Sequence, residues 1–182
     1  MSPEQSLSER CKRAERPAFR ELYDTYAGRL LSLCSRYAGT RAAAEDILQD
    51  SFIKIIQSFG SFRYRGPGSL YAWMSRITVN RALDAVKQEC GFQTVPIEDG
   101  RDMDVGVGDN DIGAVPQEEL LRMIRELPPG YRTVFNMYAM DGYSHKEIGR
   151  ALGIKERSSS SQYMRARAVL AEKIKDYLNR ND

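Results

Sequence analysis

The chain's one histidine, His145, and its three widely spaced cysteines, Cys11, Cys34 and Cys90, make a poor set for catalysis or metal binding. No cysteine/histidine cluster has ligand spacing and no glycine-rich loop is laid out to cradle a phosphate. The sequence therefore reads as a protein without enzymatic activity, cofactor or metal. The chemistry it does carry is hydrogen bonding, stacking and positive charge. Between His145 and Lys175 stand eight Lys/Arg against three Asp/Glu, and Ser158, Ser161 and Arg165 are spaced to share one exposed helical face. Serine hydroxyls suit phosphates and base edges, and arginine offers a two-pronged donor for guanine. His145, Lys146, Lys155, Arg157 and Ser160 extend this candidate DNA-binding set. Arg167 projects nearer the apolar stripe, with its stem packed and its head reaching for phosphate. The plain alternative is a helical hairpin with a solvated basic face.

A second constellation lies upstream. In GSFRYRGPGS, residues Phe62, Arg63, Tyr64 and Arg65 form a short loop in which rings and cations interleave, as single-stranded nucleic acid requires. On the following helix, about Ser69 to Lys87, Trp73, Arg76, Asn80 and Lys87 share a face, with Ala72, Val79, Ala82 and Val86 on another. A stacking ring, cations and an amide in a row could hold unpaired bases and their backbone. The rival readings are a simple connector and a buried core tryptophan. A third set, Asp46, Gln49, Asp50, Ile53 and Gln57, occupies one side of the helix before the loop. An isoleucine among acids and amides fits a basic protein partner, but periodicity equally allows a covered or solvated face.

The elements that must position these groups are helices. Ser144 and Glu147 have capping-box spacing, so a helix starts near His145 and ends at Gly153. A second runs from about Glu156 or Ser158 to Leu178, with Tyr163, Ala166, Leu170, Ile174 and Tyr177 on one stripe. Together they make a helix-turn-helix. Phe19, Leu22, Tyr26, Leu30, Leu33 and Tyr37 predict a core helix from Pro17 to Gly39. Ala44, Leu48, Phe52, Ile55 and Phe59 predict another from Arg41 to Phe59. Shorter helices are expected over Gln117–Leu127 and Tyr131–Met140, with Phe135 and Tyr138 facing the core.

The 182 residues and 42% hydrophobic content suffice for two small cores. The net charge of +2 divides into +4 for residues 1–89, −6 for 90–118 and +4 for 119–182. The acidic, glycine-containing stretch between two basic blocks reads as a linker that could fold over a basic surface. Residues 1–16 are polar and expected to fray. The cysteines form no disulfide pattern, and no run has the length of a membrane span or the core of a signal peptide. A reducing, cytoplasmic setting is expected.

The runs FRELYDTYAGRLLSLCSRYAG, AEDILQDSFIKIIQSF and FRYRGPGSLYAWMSRITVNRALDAVKQ resemble region 2 of bacterial sigma factors. LPPGYRTVFNMYAMDGYSHKEIGRALGIKE and YMRARAVL resemble region 4. With nothing like a third region between them, the arrangement is similar to the small extracytoplasmic-function sigma factors. The resemblance implies an all-α protein of two helical domains, residues 17–89 and 117–182, around a flexible linker at 90–116. It implies that Glu45, Asp46, Gln49, Asp50 and Ile53 dock on the clamp helices of the polymerase largest subunit. The loop Phe62 to Gly68 would capture an unpaired base of the minus-ten promoter element, with Trp73, Arg76, Asn80 and Arg81 on the melting helix. The helix-turn-helix would read the minus-thirty-five element while its domain rests on the flap of the second-largest subunit. Relatives are commonly held by an anti-sigma factor, so that partner is implied too. Ser159 stands where many relatives have a buried aliphatic residue, and Ser160 where a basic one is common. The competing function is a conventional regulator that binds duplex DNA without polymerase.

Overall fold

The structure, a computed structural model, describes residues 2–90 and 114–181. Every regular element among the described residues is helical, and the chain divides into two compact units, Met1–Ala85 and Val86–Asp182. The all-α, two-domain architecture is the one the patterning predicts.

The first unit contains α1 (Pro3–Lys12), α2 (Arg16–Tyr37), α3 (Arg41–Ser58) and most of α4 (Ser69–Cys90). Pro17 lies in the first turn of α2, whose Leu22, Tyr26, Leu30, Leu33 and Tyr37 are buried at the expected helical spacing. Thr40 caps α3 by accepting from the Ala43 amide at 3.2 Å, and Ala44, Leu48, Phe52 and Ile55 are buried in turn. A single tight turn, Phe59–Ser61, ends that helix.

Two expectations about the helices of this unit fail. Residues 3–12 are helical rather than frayed. Ser2 accepts from the Gln5 amide at 3.1 Å, Leu7, Ser8 and Cys11 are buried, and Arg10 reaches Glu21 of α2 at 2.7 Å. Leu7 and Cys11 form a stripe one turn long, too thin to stand out in a polar segment but enough to seat a helix on a preformed partner. Ala72 of α4, expected to share a face with Val79, Ala82 and Val86, is exposed while those three are buried. The buried side of that helix is Leu70, Met74, Thr78, Val79, Ala82 and Leu83.

The second unit comprises α5 (Gln117–Arg125), α6 (Pro129–Phe135), α7 (His145–Leu152) and α8 (Glu156–Asn181). Its core joins Met123, Ile124 and Leu127 to Ala166, Leu170 and Ile174 of α8. Val115, assigned to the linker by sequence, belongs to this core. At the other end of the expected linker, α4 continues to Cys90. The acidic residues at 98–111 lie outside the described residues.

Cys11 and Cys34 are free and buried, and burial pushes their thiols up to about 11 and about 12 respectively. Both are held protonated and are packing residues. Among the described residues no helix is long and apolar enough to cross a membrane, and no group of His, Cys, Asp and Glu could hold a metal ion.

Candidate nucleic-acid interface

The helix-turn-helix is built as its sequence dictates. Ser144 accepts from the Glu147 amide at 3.2 Å while the Glu147 carboxylate accepts from the Ser144 amide at 2.8 Å, completing the capping box of α7. Gly153 ends α7 in the left-handed region, φ 71°. Four residues earlier, buried Gly149 permits the turn to close: a Cβ there would meet the Ile154 carbonyl oxygen at 2.8 Å and the Glu156 nitrogen at 3.4 Å. Alpha-8 therefore starts hard against α7.

This closeness changes which side chains face outward. Ser158, expected on the exposed face, is 6% exposed, and Ser159 and Gln162 beside it are also buried. The apolar stripe from Tyr163 onward marks the side of α8 turned to the core. Its first turns are covered by α7 as well, and there small polar residues form the contact. The outward side is Lys155, Arg157 and Arg167, exposed, with Ser160, Ser161 and Arg165 partly exposed between them. Lys146 on α7 is exposed too. Met164, which the sequence reading did not select, lies on this side at 39% exposure. It is three to four residues from Ser160, Ser161 and Arg167, and that spacing could have found it.

His145, expected in the DNA-binding set, is partly buried. Its ring is parallel to Tyr138 at 4.2 Å and lies 5.8 Å from Tyr163, and its Nδ1 is 3.0 Å from the Ser159 hydroxyl. Burial lowers its pKa below the ordinary 6.5, partly opposed by Glu156. Tyr138, in turn, is 39% exposed rather than in the core. The chain widens into a π-turn over Asn136–Met140, closed by the Asp141 amide on the Asn136 carbonyl at 3.0 Å, and the extra residue rotates Tyr138 onto the imidazole. The ring of His145 thus braces the start of the outward-facing helix. The Arg167 guanidinium stands 5.9 Å from the Tyr163 ring centroid, in keeping with a packed stem.

In the first unit the aromatic-cationic loop is anchored from inside. Phe62, expected to be available for stacking, is 3% exposed; it packs on Phe59 at 5.8 Å and on Trp73 at 5.1 Å. Trp73 also meets Phe59 at 5.3 Å, yet its indole is only partly buried. A loop phenylalanine next to an apolar helix end gains more by burial than by waiting in water for a ligand. What remains outward is Arg63 and Arg65, both exposed, and partly buried Tyr64, whose hydroxyl lies 2.8 Å from that of Ser2. Along α4, Arg76, Asn80 and Lys87 are exposed on the side that Trp73 begins. Arg81 is half-buried and pairs with Asp84 at 3.3 Å, as its angle off that face would have it.

Asp46, Gln49, Asp50 and Ile53 of α3 are exposed, so this face is not covered within the described structure. Glu45 is partly buried and engages Arg41 at 2.9 Å. Ile53 is 55% exposed, and two further exposed apolar side chains do not follow from the predicted face, Ile56 of the same helix at 43% and Tyr23 of α2 at 48%. Tyr23 lies against Phe52 at 4.8 Å. Helical spacing alone could have flagged Ile56, three residues after Ile53; Tyr23 had no local signal.

Residues 22–89 match the family described as Sigma-70 region 2, and residues 117–170 that described as Sigma-70, region 4. Over 183 residues the chain is 30% identical to the ECF RNA polymerase sigma-E factor of Haemophilus influenzae, covering 94% of this chain and 95% of the other. It is 30% identical over 174 residues to the ECF RNA polymerase sigma factor SigE of Mycolicibacterium smegmatis, covering 91% of this chain and 63% of that longer protein. Among solved structures it is similar in fold to the sigma factor RpoE of Bartonella quintana, crystallised with the anti-sigma factor NepR. The TM-score is 0.52 at 19% identity, over 86% of this chain and 96% of that one.

Proposed function

The chain belongs to the extracytoplasmic-function sigma factors of bacterial RNA polymerase, and from that membership we propose how its surfaces divide the work of promoter-specific initiation. Core polymerase docks on α3, where Asp46, Gln49 and Asp50 offer charge and hydrogen bonds around the apolar centre of Ile53 and Ile56. The complementary surface is that of the clamp helices of the largest subunit, and the second unit rests on the flap of the second-largest. An anti-sigma factor that covers the same surfaces is the corresponding regulator, as NepR is bound to the similar RpoE.

Promoter DNA is read twice. The second unit lays the start of α8 in the major groove of the minus-thirty-five element. Arg157, Ser160, Ser161 and Arg165 are toward base edges, and Lys146, Lys155 and Arg167 toward phosphates. Ser158 and His145 act from behind, by seating the helix. The first unit takes the minus-ten element as single strands. Arg63, Arg65, Arg76 and Asn80 follow the backbone and amide-pairing edges, and the indole of Trp73, backed by Phe59 and Phe62, supports the base at the junction. Unstacking a base costs a few kcal/mol, which stacking and bound polymerase offset without covalent chemistry by the chain itself.

The observation that carries this reading is the presence, in one chain, of an aromatic-cationic loop backed by Trp73 and of a helix-turn-helix with an outward cationic side, which we read as surfaces for unpaired bases and for duplex. A conventional regulator has use only for the second. Run-off transcription with purified core polymerase and a pool of genomic promoter fragments tests it. Discrete start sites that appear only when the protein is added are expected. No such transcripts, together with sequence-specific shifts of duplex DNA in the absence of polymerase, would replace this function with that of the regulator.

A further inference from the structure

Within the loop that carries Arg63 and Arg65, Ser69 Oγ accepts from the Arg65 amide at 3.2 Å and the Gly66 carbonyl accepts from the Ser69 amide at 3.1 Å, while Gly68 and Leu70 are held from outside it. It contains Gly66 at φ 123° and Gly68 at φ 82°, both in the left-handed region, with open space where their side chains would be. Gly68 accepts the first bond of α4, from the Ala72 amide at 3.0 Å, and so stands where a capping side chain is wanted; glycine has none. The missing cap comes from the other end of the unit. One oxygen of the Glu4 carboxylate accepts from the Gly68 amide at 2.7 Å and the other from the Leu70 amide at 2.7 Å. Two residues before Glu4, the Ser2 hydroxyl meets that of Tyr64 at 2.8 Å. A carboxylate at a helix N-terminus is favoured by the helix dipole as well as by the two bonds. Its charge also reaches Tyr26, whose phenol is raised above its ordinary value first by burial and then by Glu4.

We infer that Glu4, assisted by Ser2, is the positioning residue of the base-capture loop: the first helix of the chain holds residues 64–70 so that the loop meets DNA already formed. The inference rests on the reading of this loop as the minus-ten capture element. A loop with two left-handed glycines loses much conformational freedom when it binds, and fixing it beforehand removes that loss from the binding step.

The test uses the full chain with core polymerase and a promoter carrying a fluorescent base analogue in the minus-ten element. Removing one charge-assisted bond of the pair by Glu4→Gln is expected to slow opening about tenfold. Tyr64→Phe, which removes only the Ser2 contact, is expected to slow it about twofold. Affinity for core polymerase and for minus-thirty-five duplex stays unchanged in both. Amide hydrogen exchange at Gly68 and Leu70 accelerates in Glu4→Gln, while the amides of α2 and α3 keep their protection. The joint variant Arg63→Ala, Arg65→Ala is measured alongside. If it is impaired while Glu4→Gln opens promoters at the unaltered rate, the inference fails and the loop reading stands. If the arginine variant itself opens promoters normally, the loop reading fails and takes the inference with it. Loss of protection throughout α2 and α3 in Glu4→Gln would make Glu4 a residue of the fold and likewise overturn the proposal.

Discussion

The two units fix a cationic surface by opposite means. In the first, bulk does it: Phe19, Phe59, Phe62 and Trp73 form a chain of ring contacts at 5.1–6.1 Å, and a glycine-rich loop hangs from the buried end. In the second, the lack of bulk does it. Gly149, Ser158 and Ser159 are buried where α7 meets α8, and the outward helix is seated by close approach and hydrogen bonding. A surface held by large side chains should fail when they are cut back. One held by small side chains should fail when they are enlarged.

Phe59→Ala is the largest break on the first side. The ring is 2% exposed and touches Phe19, Phe62 and Trp73, so its removal should destabilise the first unit by about 4 kcal/mol. Denaturant unfolding followed by Trp73 fluorescence reads this directly, since the chain has one tryptophan. A loss under about 1 kcal/mol would mean that the ring chain does not support the loop.

The opposite substitution is next in size. Gly149→Val pushes a branched side chain against the Ile154 carbonyl, 2.8 Å from where its Cβ must lie, and should destabilise the second unit by about 3 kcal/mol. Binding to minus-thirty-five duplex, measured with polymerase, should fall in step. Gly60→Ala in the first unit is the control that sharpens the contrast. Nothing lies within 4 Å of the added carbon and the backbone is not left-handed, so unfolding should shift by no more than about 0.5 kcal/mol. Ser159→Ala is gentler than either break. It keeps the close approach and removes the partner of the His145 Nδ1, at an expected cost of about 1 kcal/mol by denaturant unfolding. No change would reduce that contact to a bystander of packing.

The same contrast explains what could be read from the sequence. The stripes of α2 and α3 and the capping box of α7 are local patterns, and the residues named from them are where they were expected. The outward side of α8 was displaced because a helical wheel records one apolar stripe and says nothing of a second neighbour that touches serines. Phe62 has the same residue type and spacing whether it faces DNA or Trp73, and only the packed unit chooses. Glu4 was the hardest to find, since its partners Gly68 and Leu70 lie 64 and 66 residues away and both contribute main-chain amides, which carry no residue-type signal. Of the exposed side of α3, the polar positions were legible, whereas the exposed Tyr23, from another helix, was not.

The smallest effect should separate the units by pH. The chain's one histidine lies in the second unit, its imidazole held between Tyr138 and Tyr163, with burial lowering its pKa below the ordinary 6.5. The unfolded chain therefore binds a proton at higher pH than the folded one, and stability rises with pH across that interval. The contribution is complete above about pH 6.5 and is lost as pH falls from there toward the folded value. Carboxylates throughout the chain add a slope of their own, so the informative quantity is the difference between the native protein and His145→Gln. In denaturant unfolding from about pH 7.5 to about pH 5, that difference should narrow or reverse toward acid for the second unit and stay flat for the first. A flat difference in both units would mean the ring accepts its proton where it stands. In that case stacking on Tyr138 would place the imidazole without excluding its charge, and the brace on α8 would be insensitive to acid.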